Sequence, residues 1–353
     1  MTEAPAAEPL LDVIDLRTCF WTEEGLVRAV DGVSFTVGEG ERLGIVGESG
    51  SGKSAMAASI LRLVEPPGGE ILCGQILYRG RDLIGRSENE MRQVRGGEIA
   101  MIFQDPMTAL NPVFTIGDQL IETIRLHRKV TTREARELAI GALADVQIPN
   151  PARRLDAYPH QFSGGMRQRV VIALALSCRP SLLIADEPTT ALDVTTQAQI
   201  LDLIGRLAEE QGTAVILITH DLGVVAGFCE TVNVMYAGRI IERGPAQAIF
   251  DDTQHPYTAG LLGSVTRLDA VRQERLRPIR GMPPSLIAPP PGCSFQPRCD
   301  HATERCRAES PELLAVGDGH LAACHLASQL NLGRGRFGGL GGRGAATPTE
   351  GAS

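Results

Sequence analysis

The chain has 353 residues, 43% hydrophobic and 22% charged, with mean hydropathy −0.01, enough for one large α/β domain and a smaller appendage. A net charge of −8, a pI of about 5.5, 4% aromatic residues and a single Trp exclude a basic, ring-stacking surface for nucleic acid. The longest apolar run, Val170–Cys178, falls far short of the roughly 20 residues a bilayer span needs, and the opening MTEAPAAEPL lacks the regions of a signal peptide, so the chain is expected to stay in the cytoplasm.

Residues 1–9 read as a disordered tail. Alternation at Leu11–Arg17 and Ala29–Val37 predicts two strands joined through a turn at Glu23–Gly25. Arg42–Val46 reads as a buried strand that runs into a glycine-rich loop and then a helix over Ala55–Leu63. From about 105 to 165 the pattern becomes helical and polar, with Thr131 or Thr132 as N-cap of the segment ARELAIGALADV. Ser181–Ala185 and Ala214–Ile218 read as two more buried parallel strands. From residue 252 prolines cluster (Pro283-Pro284, Pro289-Pro290-Pro291) and four cysteines follow; after Asn331 a Gly/Arg tail, GRGRFGGLGGRG, cannot bury a core and reads as disordered.

Gly47-Glu48-Ser49-Gly50-Ser51-Gly52-Lys53-Ser54 fits G-x-x-x-x-G-K-S between a strand and a helix. Glycines let the backbone turn successive N–H groups onto phosphate oxygens, and the helix aims its positive end at the same charge. Lys53 suits the β- and γ-phosphates and Ser54 suits Mg²⁺. Asp186 and Glu187 end an apolar strand beside that loop. Alone they would read as two exposed acids, but next to a phosphate loop Asp186 suits Mg²⁺ and Glu187 a general base for the attacking water. Ser163-Gly164-Gly165 opens a second helix, so a second anion-binding N-terminus sits some 110 residues further on, suited to a partner's nucleotide.

These segments in this order resemble the ATP-binding cassettes of ABC transporters. Phe162 and Met166 stand where the family signature is usually Leu and Gln, replacements common in peptide-importer cassettes. The resemblance covers residues 10–251 and implies a P-loop α/β fold with an antiparallel β subdomain and a helical subdomain at about 105–165. It implies that Gln104 contacts Mg²⁺ and the attacking water, that Asp193 couples two nucleotide sites, that His220 contacts the γ-phosphate, and that Phe20 (or its neighbour Trp21) stacks on adenine. It further implies ATP and Mg²⁺ as cofactors and head-to-tail pairing with a second cassette, identical or related. The expected partners are two transmembrane permease subunits and an extracytoplasmic solute-binding protein, with the chain peripheral on the cytoplasmic face of the inner membrane. Import of nickel or another small solute is the alternative within the subfamily, and a soluble ATPase acting on nucleic acid or ribosomes the alternative outside it.

Residues 252–330 form a separate problem. Cys293, Cys299, Cys306 and Cys324 lie in a proline-rich stretch with little core of its own, which a metal could fold. The spacings are wider than zinc knuckles; four thiolates suit a [4Fe–4S] cluster, while His301, His320 and His325 keep a mixed zinc site open, and four free thiols are the plain alternative. With His255-Pro256-Tyr257-Thr258, the segment resembles the C-terminal extension of oligopeptide and dipeptide importer ATPases, which favours the iron–sulfur cluster over zinc. Cys19, Cys73, Cys178 and Cys229 read as scattered small hydrophobes.

Overall fold

Two sheets and the helices between them place the site, in a computed structural model that describes residues 8–105, 109–190, 193–264, 279–330 and 332. The two tails expected to be disordered lie outside the described residues except for residues 8, 9 and 332. The first sheet is antiparallel, in the order β2-β1-β4-β5, from β1 (Leu11–Thr22), β2 (Gly25–Val37), β4 (Gly69–Tyr78) and β5 (Arg81–Asp82). The hairpin between β1 and β2 turns at Glu23-Glu24 as the sequence suggests, but both strands run further than the alternation does. Bulges after Val13, Leu16 and Thr18 break the period, so the apolar pattern fades before the pairing ends.

The second sheet has eight strands. Its core is parallel: β9 (Thr231–Tyr236), β3 (Arg42–Val46), β8 (Ala214–Thr219), β7 (Leu182–Asp186) and β6 (Ile99–Ile102) lie side by side. On the other side of β9, β10 (Arg239–Pro245), β12 (His320–Ala322) and β11 (Leu314–Gly317) continue it antiparallel. Both faces of the core are covered, which is why β7 and β8 are apolar throughout. Leu183, Ala185, Val215 and Leu217 enter one hydrophobic cluster, and Leu182, Ile184, Ala214, Ile216 and Ile218 the other.

The loop after β3 leads into the helix Lys53–Ile60, which starts two residues earlier than its apolar run. Among the described residues of the helical region, the helices Ile116–His127 and Thr132–Asp145 pack on the helix Gly164–Leu176. The N-cap of the second is Thr131, not Thr132. Its hydroxyl accepts from Glu134 N–H while the Glu134 carboxylate reaches back to Thr131 N–H at 2.7 Å, a reciprocal capping box.

The C-terminal segment is fastened to the main sheet by a buried carboxylate. Glu242 on β10, fully buried, accepts from the backbone N–H groups of Gln254 (2.6 Å) and His255 (3.2 Å), and His320 Nε2 lies 2.9 Å from it. β12 thereby enters the main sheet with Glu242 opposite Ala322. No described helix is long and apolar enough to cross a membrane.

Candidate functional site

The phosphate loop lies between the two sheets, and its glycines are required by close approach. A Cβ on Gly52, at φ 102°, would sit 2.1 Å from Ala29 O; one on Gly47 would sit 2.2 Å from Met235 O. Gly52 caps the helix Lys53–Ile60, so the helix N-terminus opens where Ser54 begins. Lys53 is buried, and its Nζ donates to Gly47 O (2.7 Å) and Glu48 O (2.9 Å), within the curve of its own loop. Burial lowers its pKa, against the opposing pull of Glu187, Asp186 and Glu48.

β7 delivers Asp186 beside that loop. It is 4% exposed, its Oδ1 has no hydrogen-bond partner, and burial raises its carboxyl despite a hydrogen bond with Ser54. A buried carboxylate oxygen without a donor, next to a serine hydroxyl at a helix N-terminus, fits a hard divalent cation held by oxygen ligands. Glu187 follows in left-handed conformation (φ 46°), fixed by its N–H donating to Ile218 O at 2.9 Å. Its carboxylate gathers three side chains: Gln104 Nε2 donates at 3.0 Å, Thr190 Oγ1 donates at 3.0 Å, and His220 Nδ1 lies 3.3 Å away. Burial raises this carboxyl, but the hydrogen bonds from His220 and Thr190 and the charges of His220 and Lys53 outweigh it, so the net shift is downward.

Lys53, Ser54, Gln104, Asp186, Glu187 and His220, named from separate stretches of sequence, therefore form one cluster. Ser163, Gly164, Gly165 and Asp193 form a second patch. Ser163 Oγ accepts from Met166 N–H at the start of its helix, Asp193 caps the helix Val194–Gln211, and Gly165 faces Thr196 of that helix. Gln168, 1% exposed, joins the two patches by donating to Pro188 O at 2.6 Å, next to Glu187. Phe20 packs its ring edge over Gly69, while Trp21 is 49% exposed. Thr190 and Gln168 were not singled out from sequence; Thr190 carries a signal, three residues past the base, whereas nothing local marks Gln168.

The four C-terminal cysteines converge, as free thiols. Cys293, Cys299, Cys306 and Cys324 do line one cavity, with His301 and His325, and all four are free thiols. The cavity holds about 10 Å³, roughly the room for one water. Among the described residues no three His, Cys, Asp or Glu side chains are placed to hold a metal ion. Burial pushes up the thiols of Cys293 and Cys299, and that of Cys324 to about 11. His320, offered as a zinc ligand, is committed to Glu242, and His325 Nε2 lies 3.0 Å from Glu309 O.

A glycine-lined phosphate loop, an orphaned carboxylate beside its serine and a glutamate held by Gln, Thr and His define a phosphate-loop, Mg-nucleotide hydrolase. The ABC transporter family pattern matches residues 30–190, and the oligopeptide/dipeptide transporter C-terminal region matches residues 241–306. The chain belongs to the ABC transporter ATP-binding subunits of the oligopeptide/dipeptide subfamily, and it is an ATPase. It is 54% identical over 324 residues to the probable peptide ABC transporter ATP-binding protein y4tR of Sinorhizobium fredii, spanning 92% of this chain and 97% of that one. It is 52% identical to the dipeptide transport ATP-binding protein DppD of Bacillus subtilis, with 91% and 96% covered, and 52% identical to the oligopeptide transport protein OppD of Salmonella typhimurium, with 92% and 96% covered. Among solved structures, the dimeric, ADP- and Pi-bound cassette MJ0796 is similar at TM-score 0.60 and 28% identity, covering 67% of this chain and 98% of that one.

Proposed function

We propose that this chain powers an importer of di- and oligopeptides, binding ATP and Mg²⁺ on the cytoplasmic face of the membrane. The observation that carries the chemistry is the Glu187 cluster beside the loop of Lys53. The cargo reading is supported by the names of the relatives and by the C-terminal region they share. Glu187 takes the proton of the attacking water, with Gln104 and Thr190 orienting its carboxylate and His220 facing the γ-phosphate. Ser54, Asp186 and Gln104 would hold Mg²⁺, and Lys53 with the N–H groups at the start of its helix, residues 52–54, would neutralise the phosphates. Phe20 serves the adenine. Ser163, Gly164, Gly165 and Asp193 serve the nucleotide of a second cassette, because two helix N-termini on separate patches suit a site completed across a pair.

In this reading residues 10–251 are the cassette and 252–330 the peptide-importer extension. The partners are two permease subunits, a second cassette and a solute-binding protein. A [4Fe–4S] cluster, or zinc, at Cys293, Cys299, Cys306 and Cys324 belongs to the same proposal. It is supported by the convergence of four undisulfided thiols, and loading would require them to lose protons and the cavity to widen. Iron, sulfide and zinc analysis of anaerobically purified protein tests it; protein with none of the three would overturn it. For the transporter, the test is ATP turnover by the complex reconstituted with its permease and binding protein. Peptide should stimulate it; stimulation by nickel and not by peptide would assign the cargo otherwise.

A further inference from the structure

Glu48 occupies a position of the phosphate loop where phosphate chemistry asks for no particular side chain, yet all three of its polar groups are engaged. Its carbonyl accepts from Lys53 Nζ at 2.9 Å. Its N–H donates to the hydroxyl of Tyr257 at 2.8 Å, across 209 residues of sequence. Its carboxylate takes both arms of the Arg298 guanidinium, Nη1 at 2.7 Å and Nη2 at 3.1 Å, across 250 residues. The Arg298 side chain is only 5% exposed, and its Nε donates to Arg280 O at 2.9 Å, so it is held on both sides. Tyr257 is fully buried in a ring cluster with Tyr236 (4.5 Å between centroids) and Phe295 (5.5 Å). Phe295 lines the cysteine cavity, and Arg298 is the neighbour of Cys299.

We propose that Arg298 and Tyr257 are positioning residues for ATP binding, which clamp the phosphate loop through Glu48 and tie it to the cysteine cavity. The inference rests on the ATP-site reading above. A bidentate, largely buried ion pair resists bending, and breaking one side leaves a charge with poor solvation. With Glu48 held from outside by its N–H and carboxylate, its carbonyl stays turned inward to Lys53, and the loop is shaped before nucleotide arrives. Such preorganisation acts equally on bound substrate and transition state. Its loss therefore raises KM for ATP and leaves kcat nearly unchanged.

The test is steady-state ATP hydrolysis and direct titration with a fluorescent ATP analogue. The proteins compared are wild type, Glu48→Gln, Arg298→Lys, Arg298→Ala and the double variant Glu48→Gln/Arg298→Ala. Each single change should raise KM and the dissociation constant about tenfold with kcat within about twofold, the lysine variant least, and the double variant should be no weaker than the poorer single one. Unchanged KM, a fall in kcat alone, or effects that multiply in the double variant would overturn the clamp. If Arg298→Ala does not fold, Glu48→Gln and Arg298→Lys, which keep the shape of one partner and the charge of the other, decide it. A wild type that fails to bind the analogue would instead refute the ATP-site reading.

Discussion

Glu187 and Lys53 divide the work of the site in a way their surroundings dictate. Lys53 lies inside the loop, buried and bonded to two of its carbonyls, so its charge is fixed within the curve that phosphate enters. Glu187 stands at the end of β7 with its carboxylate held ionised by His220, Thr190 and Lys53. Glu187→Gln keeps the side chain's shape but cannot take a proton. Purified Glu187→Gln protein should therefore bind ATP like wild type and lose turnover, by a factor of at least ~10², whereas Lys53→Ala should lose both binding and turnover. Turnover by Glu187→Gln would contradict the assignment of the base. These residues were legible in the sequence because phosphate binding needs fixed residue types at fixed spacing. Thr190 was not, since a threonine after a strand is common and only the fold shows which carboxylate it meets.

Elements were legible where one force sets them. β3, β7 and β8 are buried on both faces, and the sequence shows them as unbroken apolar runs within a residue of their observed limits. β4, β5, β6, β9 and β10 and the C-terminal β11 and β12 were not visible. β4 mixes exposed and buried positions without clean alternation, and β11 and β12 are too short to show a period. The helix Thr132–Asp145 gives a direct check on local logic. Its capping box satisfies two donors at once, so Thr131→Ala should cost about 1 kcal/mol of stability in urea unfolding, with ATP hydrolysis unchanged. A loss below about 0.2 kcal/mol would mean that the packing against the helix Gly164–Leu176, not the cap, sets this helix end.

At the scale of the molecule, the extension is read best from its fastenings. His255 is 1% exposed and its Nδ1 accepts from Tyr257 N–H at 3.0 Å, so folding requires the neutral ring. Burial pushes its pKa down to about 3. Between that value and the ordinary imidazole value near 6.5 the unfolded chain binds more protons than the folded one, so stability falls as pH falls through this window, by up to about 1.4 kcal/mol per unit. His255→Asn keeps a capping acceptor without the proton site and should show a flatter acid limb in urea unfolding at pH 7 and 5.5; identical slopes would remove His255 as the cause. Composition showed a second, proline-rich segment, but not that it would clasp Glu48 or extend the main sheet, because those contacts join residues more than 70 positions apart. The central claim is that this chain spends ATP to import peptides, and it is tested most directly by uptake of labelled di- and oligopeptides in cells carrying wild-type or Glu187→Gln protein in place of the native copy. Uptake should be lost with Glu187→Gln and present with wild type; equal uptake in both would contradict the account.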